Sequence, residues 1–212
     1  MADLSQYLEP NFFVDHEHPE VTRFAREHGA GASQIDVAVN LYHAIRDGLR
    51  YNPWQVAGSP EGFRASDVAA RSWSRGGHCI DKATLLAACA RIHEIPSRLH
   101  FANVRNHIGT QKLEEKLGTD LLVFHGYVEL FLADRWVAAT PAFNKELCEH
   151  LGVAPLDFDG KTDSIFQQYD RAGGLFMEYV HDYGAFAEIP YSLMTAEWDR
   201  YYGANRPGAK NA

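Results

Sequence analysis

The sequence has no excess of positive charge. Lys and Arg total 20 against 28 Asp and Glu, a net charge of −8 over 212 residues, and no basic run of five or more residues occurs. That balance excludes the electrostatic footprint of a nucleic-acid binder. Long apolar runs are missing too: none approaches the roughly 18–20 residues that span a bilayer, so no membrane partner is expected. The opening "MADLSQYLEPNFF" lacks the basic start, apolar middle and small-residue cleavage site of a signal peptide. Cysteine is scarce and odd in number. Cys79, Cys89 and Cys148 cannot all pair within one chain, which points to free thiols, a reducing compartment and a cytoplasmic protein. No glycine-rich loop follows a strand-like segment to cradle phosphate. His16 and His18 in "DHEH" have no matching Cys/His pair elsewhere, so neither a metal nor a cofactor is expected. Repeats and low-complexity segments are absent, and nothing fixes an oligomeric state.

What is present is an ordinary core-forming composition, 46% hydrophobic and 12% aromatic. Residues 1–32 read as a lead-in with a short helix in "PEVTRFAREHG", residues 33–203 as a single domain, and 204–212 as a frayed tail. "SQIDVAVNLYHAIRDGLRY" is a helix with Ser33 and Asp36 as a capping pair. "ASDVAARSWSRGG" reads as a short helix stopped by the glycine pair. The segment from Cys79 to "HEIP" is the clearest helix, with Ala83, Leu86 and Ala90 on the stripe that Cys79 heads. "SRLHFANV" and "LLVFHGYVELFLADRWVAAT" read as strands. In the second, Phe124, Val128, Leu130 and Leu132 alternate with His125, Tyr127, Glu129 and Phe131, an antiparallel hairpin turning near Asp134 and Arg135. "TQKLEEKLG" is a polar helix or lid over residues 109–120. Beyond Pro141 the pattern loosens until a terminal helix around "SLMTAEWDRYY". Helices first and sheet later make an α+β fold, N-terminal helices packed on an antiparallel sheet.

Cys79 stands in the first turn of the buried helix. Unpaired N–H groups and the helix dipole there favour negative charge, and a thiol pKa near 8.5 can fall to between about 3.5 and 7.5 in such places. The same N–H groups, that of Cys79 first, suit an oxyanion. Gly76 and Gly77 let the chain turn sharply and leave the sulfur approachable. The competing reading is a small buried hydrophobe. Catalysis also needs a base. His125, mid-strand beside Gly126, is the candidate; His78 adjoins the cysteine but on a helix would point about 100° away.

In order along the chain, "AIRDGLRYNP", "GGHCIDKATLLAACARIHEIPSRL" and "FHGYVELFLADRWVAATPAFN" resemble the transglutaminase-like core, a papain-like cysteine superfamily. The shared pattern is a G-x-C helix, a strand with H-x-x-x-E and a strand with W-V and Asp-Pro. The resemblance runs from about residue 33 to 145 and looks closest to a bacterial branch. It implies Cys79 as nucleophile at the start of the central helix and His125 as the base that later protonates the leaving group. The family's acid falls at Thr140, where this sequence has no charge. Thr140, or Asn144 one turn on, would orient His125 neutrally; Asp159 or Asp163 would have to reach in from the later segment; or the site is crippled. Neutral orientation is favoured, with a lower imidazolium pKa and a lower rate expected.

The reading is therefore a cysteine-dependent acyl-transfer enzyme acting on a peptide or amide, most simply a hydrolase. Trp73, His78 and Tyr127 are candidates to line a substrate groove, although aromatic residues more often fill a core. The alternatives are a transamidase or acyltransferase with an amine acceptor, and a non-catalytic scaffold of the same fold.

Overall fold

The computed structural model describes residues 3–107, 111–165, 172–174 and 176–208. Seven α-helices occur among them: α1 Pro19–His28, α2 Gln34–Gly48, α3 Ala65–Ala69, α4 Cys79–Ile92, α5 Gln111–Leu117, α6 Lys145–Leu151 and α7 Tyr191–Tyr202. The starts of α1 and α2 are written locally. His18 accepts from the Glu20 amide before Pro19. Ser33 accepts from the Asp36 amide at 3.2 Å while its hydroxyl donates to the Asp36 carboxylate. α3 ends at Ala69, well short of the glycine pair that was expected to stop it.

Four antiparallel strands, β1 Ser97–Asn106, β2 Leu121–Leu132, β3 Arg135–Ala139 and β4 Met177–Phe186, form one sheet in the order β3-β2-β1-β4. Ala133 and Asp134, at φ 49° and 64°, make the β2–β3 turn one residue earlier than the sequence suggests. Sequence reasoning missed the short helix α6 and, of the strands, β4. It is an edge strand, exposed or half-buried over most of its length, so "MEYVHDYGAF" never had to alternate apolar with polar residues.

The sheet packs on α4, which is buried almost all round: eleven of its side chains from Ile80 to Ala90, among them Lys82 and Thr84, are inaccessible. The α+β arrangement and the place of Cys79 at the start of the central helix are as expected. Phe13, Val14, Val21 and Ala25 of the first thirty residues join the same core. Lys82 fixes the helix to its neighbours, donating at 2.8 Å each to the carbonyls of Arg46, Leu49 and Ala142. Among the described residues no helix is long and apolar enough to cross a membrane. Of the expected lid, α5 covers 111–117 and residues 109–110 lie outside the described residues. Of the expected tail, Gly203–Asn205 form a 3-10 turn and 209–212 lie outside.

Candidate active site

The turn into α4 depends on two glycines. Gly76 has φ +65°, and a Cβ there would lie 2.1 Å from the Arg50 carbonyl oxygen, so only glycine fits. Gly77 then donates to the Arg50 carbonyl and accepts from the Asn52 amide, strapping the approach to the helix against the loop after α2. His78 is the N-cap, in a reciprocal capping box with Asp81. Cys79 follows as the first helical residue, the one cysteine of the three that is not fully buried.

The N–H groups of Gly126, Ile80 and Cys79 itself point at the sulfur and favour its ionised form, but burial outweighs them and pushes the thiol up to about 11. The expected depression of the thiol is thus overturned: the helix start supplies the donors, while the surrounding protein removes the water that would stabilise a thiolate.

β2 brings His125 to the same place by an irregularity. His125 pairs with Ala102, but Leu122 pairs with Val104, so Val123 and Phe124 together face the one residue Asn103. This bulge carries Phe124 at φ +62°, and Asn103 pins it by accepting the Phe124 amide at 2.9 Å. Strict alternation would send His125 to the face that carries Tyr127 and Glu129. The bulge puts an extra residue into β2 just before His125, and Phe124 and His125 both line a cavity with Cys79. Gly126 allows the strand to lie close, since a Cβ there would come within 3.1 Å of Ile80 and 3.2 Å of Phe101.

The cavity holds about 50 Å³, and Tyr51, His78, Cys79, Phe124, His125 and Trp198 are among the residues that line it, as are Leu117, Tyr202 and Pro207. That is room for a few waters or a short side chain. His125 is 4% exposed. Burial, reinforced by the neighbouring His78, pushes it down to about 4. Cys79 and His125 therefore rest as a neutral thiol and a neutral imidazole at pH 7. The expected lowering of the imidazole is found, but its cause is burial and a second histidine.

None of the four residues considered as orienters bonds His125, whose two ring nitrogens have no hydrogen-bond partner among the described residues. Thr140 donates its hydroxyl to the Ile165 carbonyl. Asn144 accepts from the Tyr51 amide and donates to Glu146. Asp159 closes its own turn on Lys161 and Thr162, and Asp163 accepts from the Ala138 amide. Trp73 is exposed, its indole N–H donating to the Asp47 carbonyl, and Tyr127 stacks on His100 at 4.6 Å on the opposite face of the sheet. Neither lines the cavity; His78 does. Among the described residues no group of three or more His, Cys, Asp or Glu could hold a metal ion.

Asp81 and Asn103 were not read as site residues. A capping box with histidine in the serine position was the only local sign of the first, and nothing local marks the second, because a bulge depends on the partner strand. Around Asp81 the charge is concentrated: its Oδ2 takes Arg71 at 2.5 Å in an ion pair with both side chains 1% exposed, and lies 2.9 Å from His78 Nδ1.

The family model of the transglutaminase-like superfamily matches residues 22–141, more than half of the chain. No curated protein matches the sequence. Among solved structures, a candidate cysteine protease from Cytophaga hutchinsonii has the same fold, with a TM-score of 0.50 at 14% identity over 88% of this chain. The match takes in 55% of that protein, so this chain spans about half its length.

Proposed function

Because the chain belongs to the transglutaminase-like superfamily, we propose that it is a cysteine-dependent acyl-transfer enzyme that hydrolyses amide bonds through a Cys79 thioester. The observation that carries this reading is the cavity in which Cys79, at the start of a buried helix, meets His125 from a bulged strand. His125 removes the thiol proton as the sulfur attacks the carbonyl carbon. The N–H groups of Cys79, Ile80 and Gly126 that face the sulfur are placed to receive the developing oxyanion, each such donor being worth about 2.7–4 kcal/mol elsewhere. With both partners neutral at rest, the proton moves during attack rather than before it, so the nucleophile is formed only when an acyl group is in place. Water is the favoured acceptor, since the cavity admits it and, among the described residues, no carboxylate lines it to hold an amine.

The rival reading is a non-catalytic module of the same fold, favoured by the uncharged Thr140 and the unpartnered His125 ring. An activated ester separates the two. Incubated with p-nitrophenyl acetate, the enzyme is expected to release a burst of nitrophenolate and to carry one acetyl group on Cys79 by peptide mass spectrometry. Cys79→Ala and His125→Ala are each expected to lower the burst rate at least about a hundredfold. Acetylation no faster than that of a model thiol, and indifferent to His125, would leave the module ahead.

A further inference from the structure

A second imidazole faces the Cys79 cavity. His78 is 5% exposed and lines it, and its Nε2 is buried with no hydrogen-bond partner among the described residues. The other ring nitrogen is held. Nδ1 lies 2.9 Å from Asp81 Oδ2 and 3.3 Å from the Asp81 amide nitrogen. Burial alone would raise the Asp81 pKa, but His78 and Arg71 carry it below the usual carboxylate range. Nδ1 cannot accept from the amide and donate to the carboxylate at once; the shorter contact is to an ionised carboxylate, so the proton is assigned to Nδ1, the amide bond of the capping box is given up, and Nε2 is left as the working atom. Adjacency to Cys79 is no obstacle. As N-cap, His78 has extended backbone, φ −90° and ψ −176°, so the 100° rule for neighbours within a helix does not apply to it.

We propose that His78, held by Asp81, is a second acid–base residue of the site: it gives the leaving group its proton and takes one from the attacking water, while His125 serves the sulfur. The proposal rests on the Cys79 thioester reading. In the first half-reaction the thiol proton passes to His125 and the sulfur electron pair bonds the carbonyl carbon. The C–N bond then breaks as the nitrogen takes the Nε2 proton of the His78 imidazolium. In the second, neutral His78 takes a proton from water, hydroxide bonds the thioester carbon, and the sulfur departs with the proton held by His125. Both imidazoles end as they began. Asp81, two residues after the nucleophile, thereby supplies the carboxylate that the Thr140 position lacks. The other ionisable groups that line the cavity or bond Asp81 are Cys79, Tyr51, Tyr202 and Arg71.

The half-reactions separate with p-nitrophenyl acetate, because nitrophenolate leaves without protonation. In His78→Gln loss of acetyl from Cys79 is expected to slow about a hundredfold, the usual reach of a general acid–base group, and at least about tenfold more than the nitrophenolate burst. Acetyl-Cys79 should then accumulate in intact-mass spectra. Deacetylation at the wild-type rate would overturn the role of His78 and leave the Cys79 reading standing. No acetyl on Cys79 of the wild type would overturn both. Should His78→Gln melt before it can be measured, the wild-type pH profile of deacetylation takes its place. That profile must follow the titration of His78 seen by 15N NMR of the imidazoles, and a profile that follows His125 instead refutes the assignment.

Discussion

Gly126 serves the site twice. Its N–H faces the Cys79 sulfur, and its missing side chain lets β2 lie against the first turn of α4, where a Cβ would meet Ile80 Cγ1 at 3.1 Å and Ile80 Cα at 3.3 Å. The nearest atoms belong to a buried helix start and to Phe101, so they have little room to yield. Gly126→Ala is expected to cost about 1–3 kcal/mol in urea denaturation, the usual range for overpacking, and to slow acetylation of Cys79 by p-nitrophenyl acetate more than tenfold. A full stability loss with unchanged acetylation would mean that the strand does not set the sulfur's surroundings. At this scale the sequence was informative where chemistry is local. The glycine pair, the capping residues and the cysteine at the head of an alanine-rich run all mark the start of α4. It misled where the environment decides: the donors round Cys79 are as expected from a helix start, yet burial drives the thiol to about 11.

Strands and helices with a strong period were legible, as α1, α2, α4 and the β2–β3 hairpin show. β4 was not, because its stabilisation comes from its neighbour rather than from its own pattern. His100 on β1 shows how: Nδ1 lies 2.7 Å from Glu129 of β2 and Nε2 2.6 Å from Asp182 of β4, while its ring stacks on Tyr127. One imidazole clamps three strands, and Arg98 bonds the same Glu129 at 2.5 Å. Burial would lower the His100 pKa, but its bonds to Glu129 and Asp182 carry it above 6.5. A raised folded value means that the clamp's contribution is fully present below about pH 6.5 and is lost as pH rises through the folded value. The stability difference between wild type and His100→Gln, measured by denaturant titration, should therefore shrink from pH 6 to pH 8.5. Taking the difference removes Lys82, which burial pushes down to about 7 and which acts in the opposite sense. A difference that is flat or grows with pH would show that His100 is not protonated in the clamp.

The cavity belongs to no single element: Tyr51 follows α2, His78 and Cys79 open α4, His125 lies on β2, Leu117 ends α5, Trp198 and Tyr202 lie on α7, and Pro207 follows it. A reading that moves along the chain sees each of these as core or loop, because the lining is drawn from residues up to 156 positions apart (Tyr51 to Pro207). The cavity holds about 50 Å³, and Leu117 at the end of α5 is part of its lining. α5 is held over the loop after α2 by its Lys116 ammonium, 3.8 Å from the centre of the Trp54 ring, a half-exposed contact of the kind worth about 0.5–1 kcal/mol. Gly118, just beyond α5, faces Asn205 of the 3-10 turn that leads to Pro207, so α5 and the chain after α7 close on one another. If access to the sulfur requires α5 to lift, removing the cation–π contact shifts that opening equilibrium by the same energy, a factor of about two to five. Trp54→Ala should therefore raise the rate of iodoacetamide labelling at Cys79 two- to fivefold at constant pH, with Cys89 and Cys148 still unlabelled and the melting temperature nearly unchanged. A rate equal to wild type would mean that the substrate reaches Cys79 by another side of the cavity, and that α5 is wall rather than door.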